Sequence, residues 1–229
     1  MIKAALFDLD GTLFDRDTAI KHFAADQYAR LFAAKTSVTA ERFSELFIDL
    51  DQHGYVQKER LYTMICTECD VVDITVEELR QDFYLHFKRF YKPMPHLQEM
   101  LVNLHQHGLD LGIITNGGEA MQMEKIRSLG IEDDFQAIVI SSVVGMRKPE
   151  PAIFHHALEA LAVKAHECVF VGDNPTLDIK AAAAVGIHPI WMRVPYWPAA
   201  NVGEIPADDL AEIPQVIQSY PLSSPKGTE

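Results

Sequence analysis

The sequence predicts an α/β protein in three layers, a mostly parallel sheet between helices, interrupted early by an inserted bundle of helices. Three observations predict it. A short apolar run, Ile2 to Phe7, ends in two carboxylates and a glycine. Residues 17–92 then hold four amphipathic segments of helical period and no convincing strand. From residue 93 onward, apolar runs alternate with helical segments, the pattern of a parallel sheet with helices on both sides.

Taken in order, the stretch Ile2 to Leu13, IKAALFDLDGTL, opens as a strand buried on both faces. Asp8 and Asp10 at its end point the same way if the strand lasts through both. Carboxylates that close repel unless a cation or proton stands between them. Asp10-Gly11 is equally ordinary turn chemistry when taken alone. Ile20, Phe23, Ala24, Tyr28, Leu31 and Phe32 follow helical spacing, with Asp17 or Thr18 as N-cap. Thr39 starts a second helix with Phe43, Leu46, Phe47 and Leu50, and a break at residues 51–55 precedes a third with Leu61, Met64 and Ile65. Thr75-Val76-Glu77-Glu78 has capping-box spacing and opens a fourth, with Leu79, Phe83, Phe87 and Phe90. Pro93 and Pro95 punctuate the chain. Leu97 to Leu104 is a helix that Gly108 can end, and Leu109 to Thr115 a strand. A helix ending at Gly130 follows, then a strand at Ala137–Ile140 and a helix at Pro151–Leu161. Cys168–Val171 is a strand, the next helix ends at Gly186, and His188–Met192 is a last short strand. Residues 1–16 and 93–221 therefore form one domain, residues 17–92 an insert, and residues 222–229 a loose tail.

Composition narrows the function. The 229 residues are 48% hydrophobic and 23% charged, ordinary for a globular protein with a sizeable core. Twenty Lys+Arg against 33 Asp+Glu give a formal net charge of −13, which argues against nucleic acid or an anionic membrane surface as partner. A phosphorylated substrate stays open, because a bound cation and a few basic groups reverse the field locally. No apolar run approaches the roughly 18 residues of a membrane span. The chain enters a strand without a charged and apolar leader, which reads as cytoplasmic. Cys66 and Cys69 have CxxC spacing, but no second pair of metal ligands matches it. They read as small reduced residues, packed or half exposed, and Cys168 as core.

Four short motifs carry chemistry. The first is Asp8-Leu9-Asp10-Gly11-Thr12 after the opening strand. The second, Gly112 to Gly117, ends its strand in Thr115, whose hydroxyl and the amides after it, from Asn116 on, are donors suited to phosphate oxygens. The third is Lys148 in Arg147-Lys148-Pro149-Glu150-Pro151, with Arg147 as a competitor for its role. The fourth is Gly172-Asp173 with Asp178 five residues beyond, so that Asp173 can join Asp8 and Asp10 around a hard divalent ion. In this order, each beside a strand, they resemble the motifs of the haloacid dehalogenase superfamily, across the whole predicted α/β part.

The resemblance implies a Rossmann-like core, with the insert as a helical cap between the first two motifs. It implies Asp8 as nucleophile, Asp10 as general acid and base, and Lys148 and Thr115 as phosphoryl-binding groups. It further implies Mg²⁺ held by Asp8, the backbone carbonyl of Asp10 and Asp173, with Asp178 behind them. The expected activity is hydrolysis of a phosphomonoester through an aspartyl phosphate. A phosphomutase of the same superfamily is the first alternative, although such mutases often carry Val where Thr12 stands. Superfamily dehalogenases and phosphonate-cleaving enzymes lack an acid at the place of Asp10. A non-catalytic binding module is the alternative from another class. The expected partner is a small phosphorylated metabolite, such as a sugar phosphate, phosphoglycolate or a nucleoside monophosphate, for a monomer or homodimer. By position, the break in the insert is the specificity element, offering Asp51, Gln52, His53, Tyr55 and, just beyond, Lys58 and Arg60.

Overall fold

Six strands form one sheet in the order β3-β2-β1-β4-β5-β6, every neighbouring pair parallel. The strands are β1 (Ala4–Phe7), β2 (Asp110–Thr115), β3 (Ala137–Ile140), β4 (Cys168–Gly172), β5 (His188–Met192) and β6 (Ile205–Ala207). The structure, a computed structural model, describes residues 1–71 and 73–220, so the tail expected over 222–229 lies outside the described residues. The architecture is α/β and Rossmann-like, and the sheet is wholly rather than mostly parallel.

The described chain folds as two units, residues 1–14 with 93–220, and Asp15–Lys92. In the first, β1 occupies the centre because all four of its residues are apolar and fully buried. Ala4 and Leu6 pack with Ile153, Phe154 and Phe170, whereas Phe7 stands edge-on to Phe135 with centroids 6.2 Å apart. Period-two alternation sends these side chains to opposite faces, so both faces of the strand need a cover. Helix Pro151–Ala160 supplies one, starting with proline where a missing N–H costs nothing. Phe7 is in register with Ile113 of β2 and Val171 of β4. The carboxyl ends of the three central strands therefore fall together, where the connections leave in opposite directions.

Two expectations are corrected. The first strand stops at Phe7, so alternation does not place Asp10. Gly11 at φ +87° lets the chain fold back, and the carbonyl of Leu9 accepts from the amides of Thr12, Leu13 and Phe14. The first helix of the insert begins at Arg16, capped neither by Asp17 nor by Thr18. Asp15 is the N-cap, its carboxylate accepting from the Thr18 amide at 3.1 Å. β6 escaped notice because three residues containing a proline carry no periodic signal, and Pro206 is tolerated on an edge strand.

The second unit holds helices α1 (Arg16–Gln27), α2 (Ala40–Asp51), α3 (Lys58–Glu68) and α4 (Val76–His86). Thr75 and Glu78 make the expected reciprocal capping box. The interior is aromatic: Phe23 meets Phe47, Phe83 and Phe87 edge-on at 5.0–6.0 Å between centroids. One ionic group is buried in it. Asp51, 1% exposed, accepts from Arg16 at 2.5 Å and from Lys58. Burial pushes the Asp51 carboxyl up, but Arg16 and Lys58 outweigh it and hold it below its ordinary value. Among the described residues no helix is long and apolar enough to cross a membrane.

Removing Asp51 strands two cations in a place with little water. Asp51→Ala is expected to lower the unfolding free energy by about 3–5 kcal/mol, read from urea midpoints. The depressed pKa sets the pH sign: Asp51 stabilises fully above the unfolded value near ~4 and loses that effect as pH falls through its lower folded value. The gap between wild type and Asp51→Asn should stay constant above about pH 5 and close only below ~4.

Candidate active site

The polar residues of the first unit converge where the central strands end. Asp8 follows β1 directly, and its amide donates to the carbonyl of Val171 at 2.9 Å, which fixes it beside β4. Lys148, 3% exposed, comes from the loop before the Pro151–Ala160 helix. Its ammonium donates to Asp8 at 2.6 Å and to Asp178 at 2.7 Å. Arg147, the alternative raised from sequence, makes neither of these contacts. The second oxygen of Asp178 accepts from the Asn174 amide at 3.1 Å, so both its oxygens are engaged. The Asp173 carbonyl accepts from the Trp191 ring N–H at 2.9 Å, pinning the turn after β4. A side chain at Gly11 would come within 2.9 Å of the Asp173 carboxylate, so the turn after Asp10 must be bare for these carboxylates to approach.

Thr115, at the end of β2, is 1% exposed. The Asn116 side chain does not face the cluster as a free donor. It donates to the Lys148 carbonyl at 3.0 Å and accepts from the Lys148 amide at 2.9 Å, tying the lysine loop to the end of β2. The Gly117 amide is likewise engaged, donating to Ser141 Oγ at 3.0 Å.

Asp8, Asp173 and Asp178 each present a carboxylate oxygen within 4.8 Å of the others. Burial pushes the Asp8 carboxyl up to about 7, a rise that Lys148 opposes and that Asp178 and Asp10 reinforce. Burial and the charges of Asp178 and Asp8 also hold Asp173 well above the ordinary carboxylate range. Burial works against the charge on Lys148, but Asp178 and Asp8 outweigh it and raise the lysine pKa. Three buried carboxylates thus share one ammonium, leaving a deficit of positive charge among hard oxygen donors. A small divalent cation such as Mg²⁺ fits that donor set, in which Asp178 already accepts from Lys148.

The arrangement of motifs decides the family. Haloacid dehalogenase-like hydrolases match the chain over residues 5–192. The chain belongs to this family. It is 31% identical over 201 residues to a glyceraldehyde 3-phosphate phosphatase of Pyrococcus abyssi, covering 84% of this chain and 82% of that protein. It is 32% identical over 135 residues to a phosphoserine phosphatase of Thermus thermophilus, covering 59% and 54%. Among solved structures, a haloacid dehalogenase-type phosphatase of Thermococcus onnurineus superposes with a TM-score of 0.66 at 26% identity, covering 94% of this chain and 98% of that one.

Two residues of the cluster were missed from sequence. Gln122 and Lys125, on helix Glu119–Leu129, are 1% and 4% exposed and both contact Asp10. A signal existed: with Ile126 and Leu129 they occupy the i, i+3, i+4, i+7 stripe that a helix buries. Polar residues on such a stripe need partners, and Asp10 is theirs. The proposed specificity residues belong to the other unit. There Lys58 pairs with Asp51 and lies 4.9 Å from the Phe83 ring centroid, and His53 is 3.8 Å from Asp17. Tyr55 and Arg60 are exposed.

Without divalent ions, the raised Asp8 pKa makes ionisation of Asp8 a cost to the folded state. Stability is full below the unfolded value near ~4 and falls as pH rises through about 7. In chelator at pH 8, Asp8→Asn should raise the thermal midpoint by about 2–4 °C per kcal/mol of repulsion removed, and the gain should vanish toward pH 4.

Proposed function

We propose that the chain is a Mg²⁺-dependent phosphomonoester hydrolase acting on a small phosphorylated metabolite through an aspartyl phosphate. The observation that carries this reading is Asp8, buried against Lys148, with a second carboxylate, Asp10, one turn residue away and held in place. A nucleophilic carboxylate accounts for Asp8 alone, but only departure of a poor leaving group calls for the acid at Asp10. The phosphatases among the similar proteins support the same reaction, and their named substrates support the same class of small phosphate ester.

Asp8, Asp173 and the backbone carbonyl of Asp10 would hold Mg²⁺, which when bound supplies positive charge to the phosphoryl oxygens. The chain's own groups do the rest. Lys148 neutralises Asp8 and a phosphoryl oxygen, so that one anion can approach another. Thr115 donates to another phosphoryl oxygen. An oxygen of Asp8 attacks phosphorus, the ester P–O bond breaks, and Asp10 gives its proton to the departing oxygen. Asp10 then takes a proton from water as that water attacks phosphorus, releasing phosphate and restoring the Asp8 carboxylate and the protonated Asp10. Asp178 keeps Lys148 charged and aimed. We assign residues 17–92 the part of a cap that selects the leaving group, with His53, Tyr55, Lys58 and Arg60 as its candidate readers.

Asp8→Asn should abolish Mg²⁺-dependent phosphate release from a nitrophenyl ester while the circular dichroism spectrum is unchanged. Asp10→Asn should cost roughly two to four orders of magnitude with alkyl esters and less in single-turnover transfer from the nitrophenyl ester. Measurable turnover by pure Asp8→Asn protein would remove the nucleophile from this scheme.

Replacing His53, Tyr55, Lys58 or Arg60 by alanine tests the selection role against a panel of metabolite phosphates. A residue that reads the leaving group should change kcat/KM for the preferred ester by ten-fold or more, roughly, while that for acetyl phosphate moves far less. Parallel changes on both substrates would place substrate selection elsewhere in the helical unit.

A further inference from the structure

Gln122 and Lys125 have no part in the reaction as described above, yet they hold two of its groups. The Gln122 side-chain nitrogen donates to Asp10 Oδ2 at 2.8 Å and to Thr115 Oγ1 at 2.5 Å. Its oxygen accepts from Lys125 Nζ at 2.8 Å, and Lys125 Nζ also donates to Asp10 Oδ1 at 2.5 Å. Lys125 Nζ lies 5.3 Å from the centroid of the Phe14 ring, a further contact for a charge held away from water.

The direction of every hydrogen bond follows from the donor inventory. An ammonium only donates, so the Gln122 atom facing Lys125 must be the amide oxygen. The amide nitrogen then faces Asp10 and Thr115, and its two hydrogens serve one acceptor each. A hydroxyl that accepts from an amide still has its own proton to give, so Thr115 is left as a donor. Lys125 thereby fixes the amide, and the amide fixes both the position of Asp10 and the polarity of Thr115. Asp10 is held at both oxygens, one by charge and one by the amide. Gly117 makes room for this. At φ +153°, its missing Cβ would stand 2.9 Å from the amide carbon of Gln122.

We propose that Gln122 and Lys125 are positioning residues that act as one unit, setting the proton-transferring carboxylate Asp10 and the phosphoryl-contacting hydroxyl Thr115 against each other. This rests on the phosphatase reading above and names the groups that align its acid with its phosphoryl site. A helix residue that merely filled space would affect all substrates alike. A residue that aims Asp10 matters most where the leaving group needs a proton, and misplacement by about 1 Å can cost on the order of a hundred-fold.

The test measures the single-turnover rate of phosphoryl transfer, and KM, of Lys125→Met and Gln122→Leu, with Mg²⁺, for glycerol 3-phosphate and 4-nitrophenyl phosphate. Each variant is also made on an Asp10→Asn background, with circular dichroism and thermal midpoints as checks of folding. Lys125→Met should lower the single-turnover transfer rate for the alkyl ester by about 10- to 100-fold, and that for the aryl ester by much less, with KM little changed. Gln122→Leu should do the same and also raise KM for both esters, because Thr115 loses its fixed polarity. On the Asp10→Asn background neither substitution should lower the alkyl-to-aryl ratio further, since the group they aim is gone. Gln122→Asn, which keeps the amide but draws it back by one methylene, gives a second reading if the leucine variant does not fold. An unchanged alkyl-to-aryl ratio in the folded variants, or a further fall on the Asp10→Asn background, would overturn the proposal. Those outcomes leave the phosphatase reading intact, because it fails only if wild type releases no phosphate from either ester or Asp8→Asn still does.

Discussion

Everything at the end of the sheet depends on one buried ammonium. Lys148 joins Asp8, which follows the first strand, to Asp178, which lies beyond the fourth. Without it, three carboxylates would face each other in a region from which water is largely removed, and desolvation alone costs several kcal/mol per ion. The lysine comes from a third part of the chain, so its loop must be held as tightly as the carboxylates. Asn116 does this with two hydrogen bonds to the Lys148 backbone, and it sits directly after Thr115. One ion-paired centre thus locks the ends of three strands and the loop between them.

The cluster is costly to the fold and useful to the chemistry for the same reason. Burial and mutual repulsion leave Asp8 and Asp173 poorly satisfied by a single lysine. A site with surplus negative charge binds a divalent cation well, and a nucleophile that is poorly solvated needs little reorganisation to attack. Stability is given up where function needs an unsettled charge. The helical unit shows the opposite use of buried charge. There a buried Asp51 meets two cations, Arg16 and Lys58, beside an aromatic interior.

Much of the fold was legible because local signals agreed with the tertiary outcome. Uniformly apolar runs marked central strands, and the limits read for Ala137–Ile140 and His188–Met192 are those observed. The Thr75 capping box and the Gly130 helix stop are chemistry within one turn of chain, so no distant partner can alter them. The edge strand Ile205–Ala207 was not legible, because its pairing with β5 supplies what its three residues lack. The place of Asp10 was not legible either, since the strand stops at Phe7 and the chain turns before Asp10.

By itself the sequence determined the layered α/β class and the insertion point of the helices, and its four motifs, through their resemblance to a family, singled out Asp8, Thr115, Lys148, Asp173 and Asp178. Hydrophobic periodicity and turn chemistry are encoded residue by residue, and strands buried in a parallel sheet must deliver their C-terminal residues to one edge. Only the tertiary structure decided which charges meet. It gave Asp178 to Lys148, turned Asn116 from the cluster to the lysine loop, and placed Gln122 and Lys125 on Asp10. Pairing between groups more than a hundred residues apart, as Asp10 and Lys125 are, depends on distances that exist only after the sheet has formed.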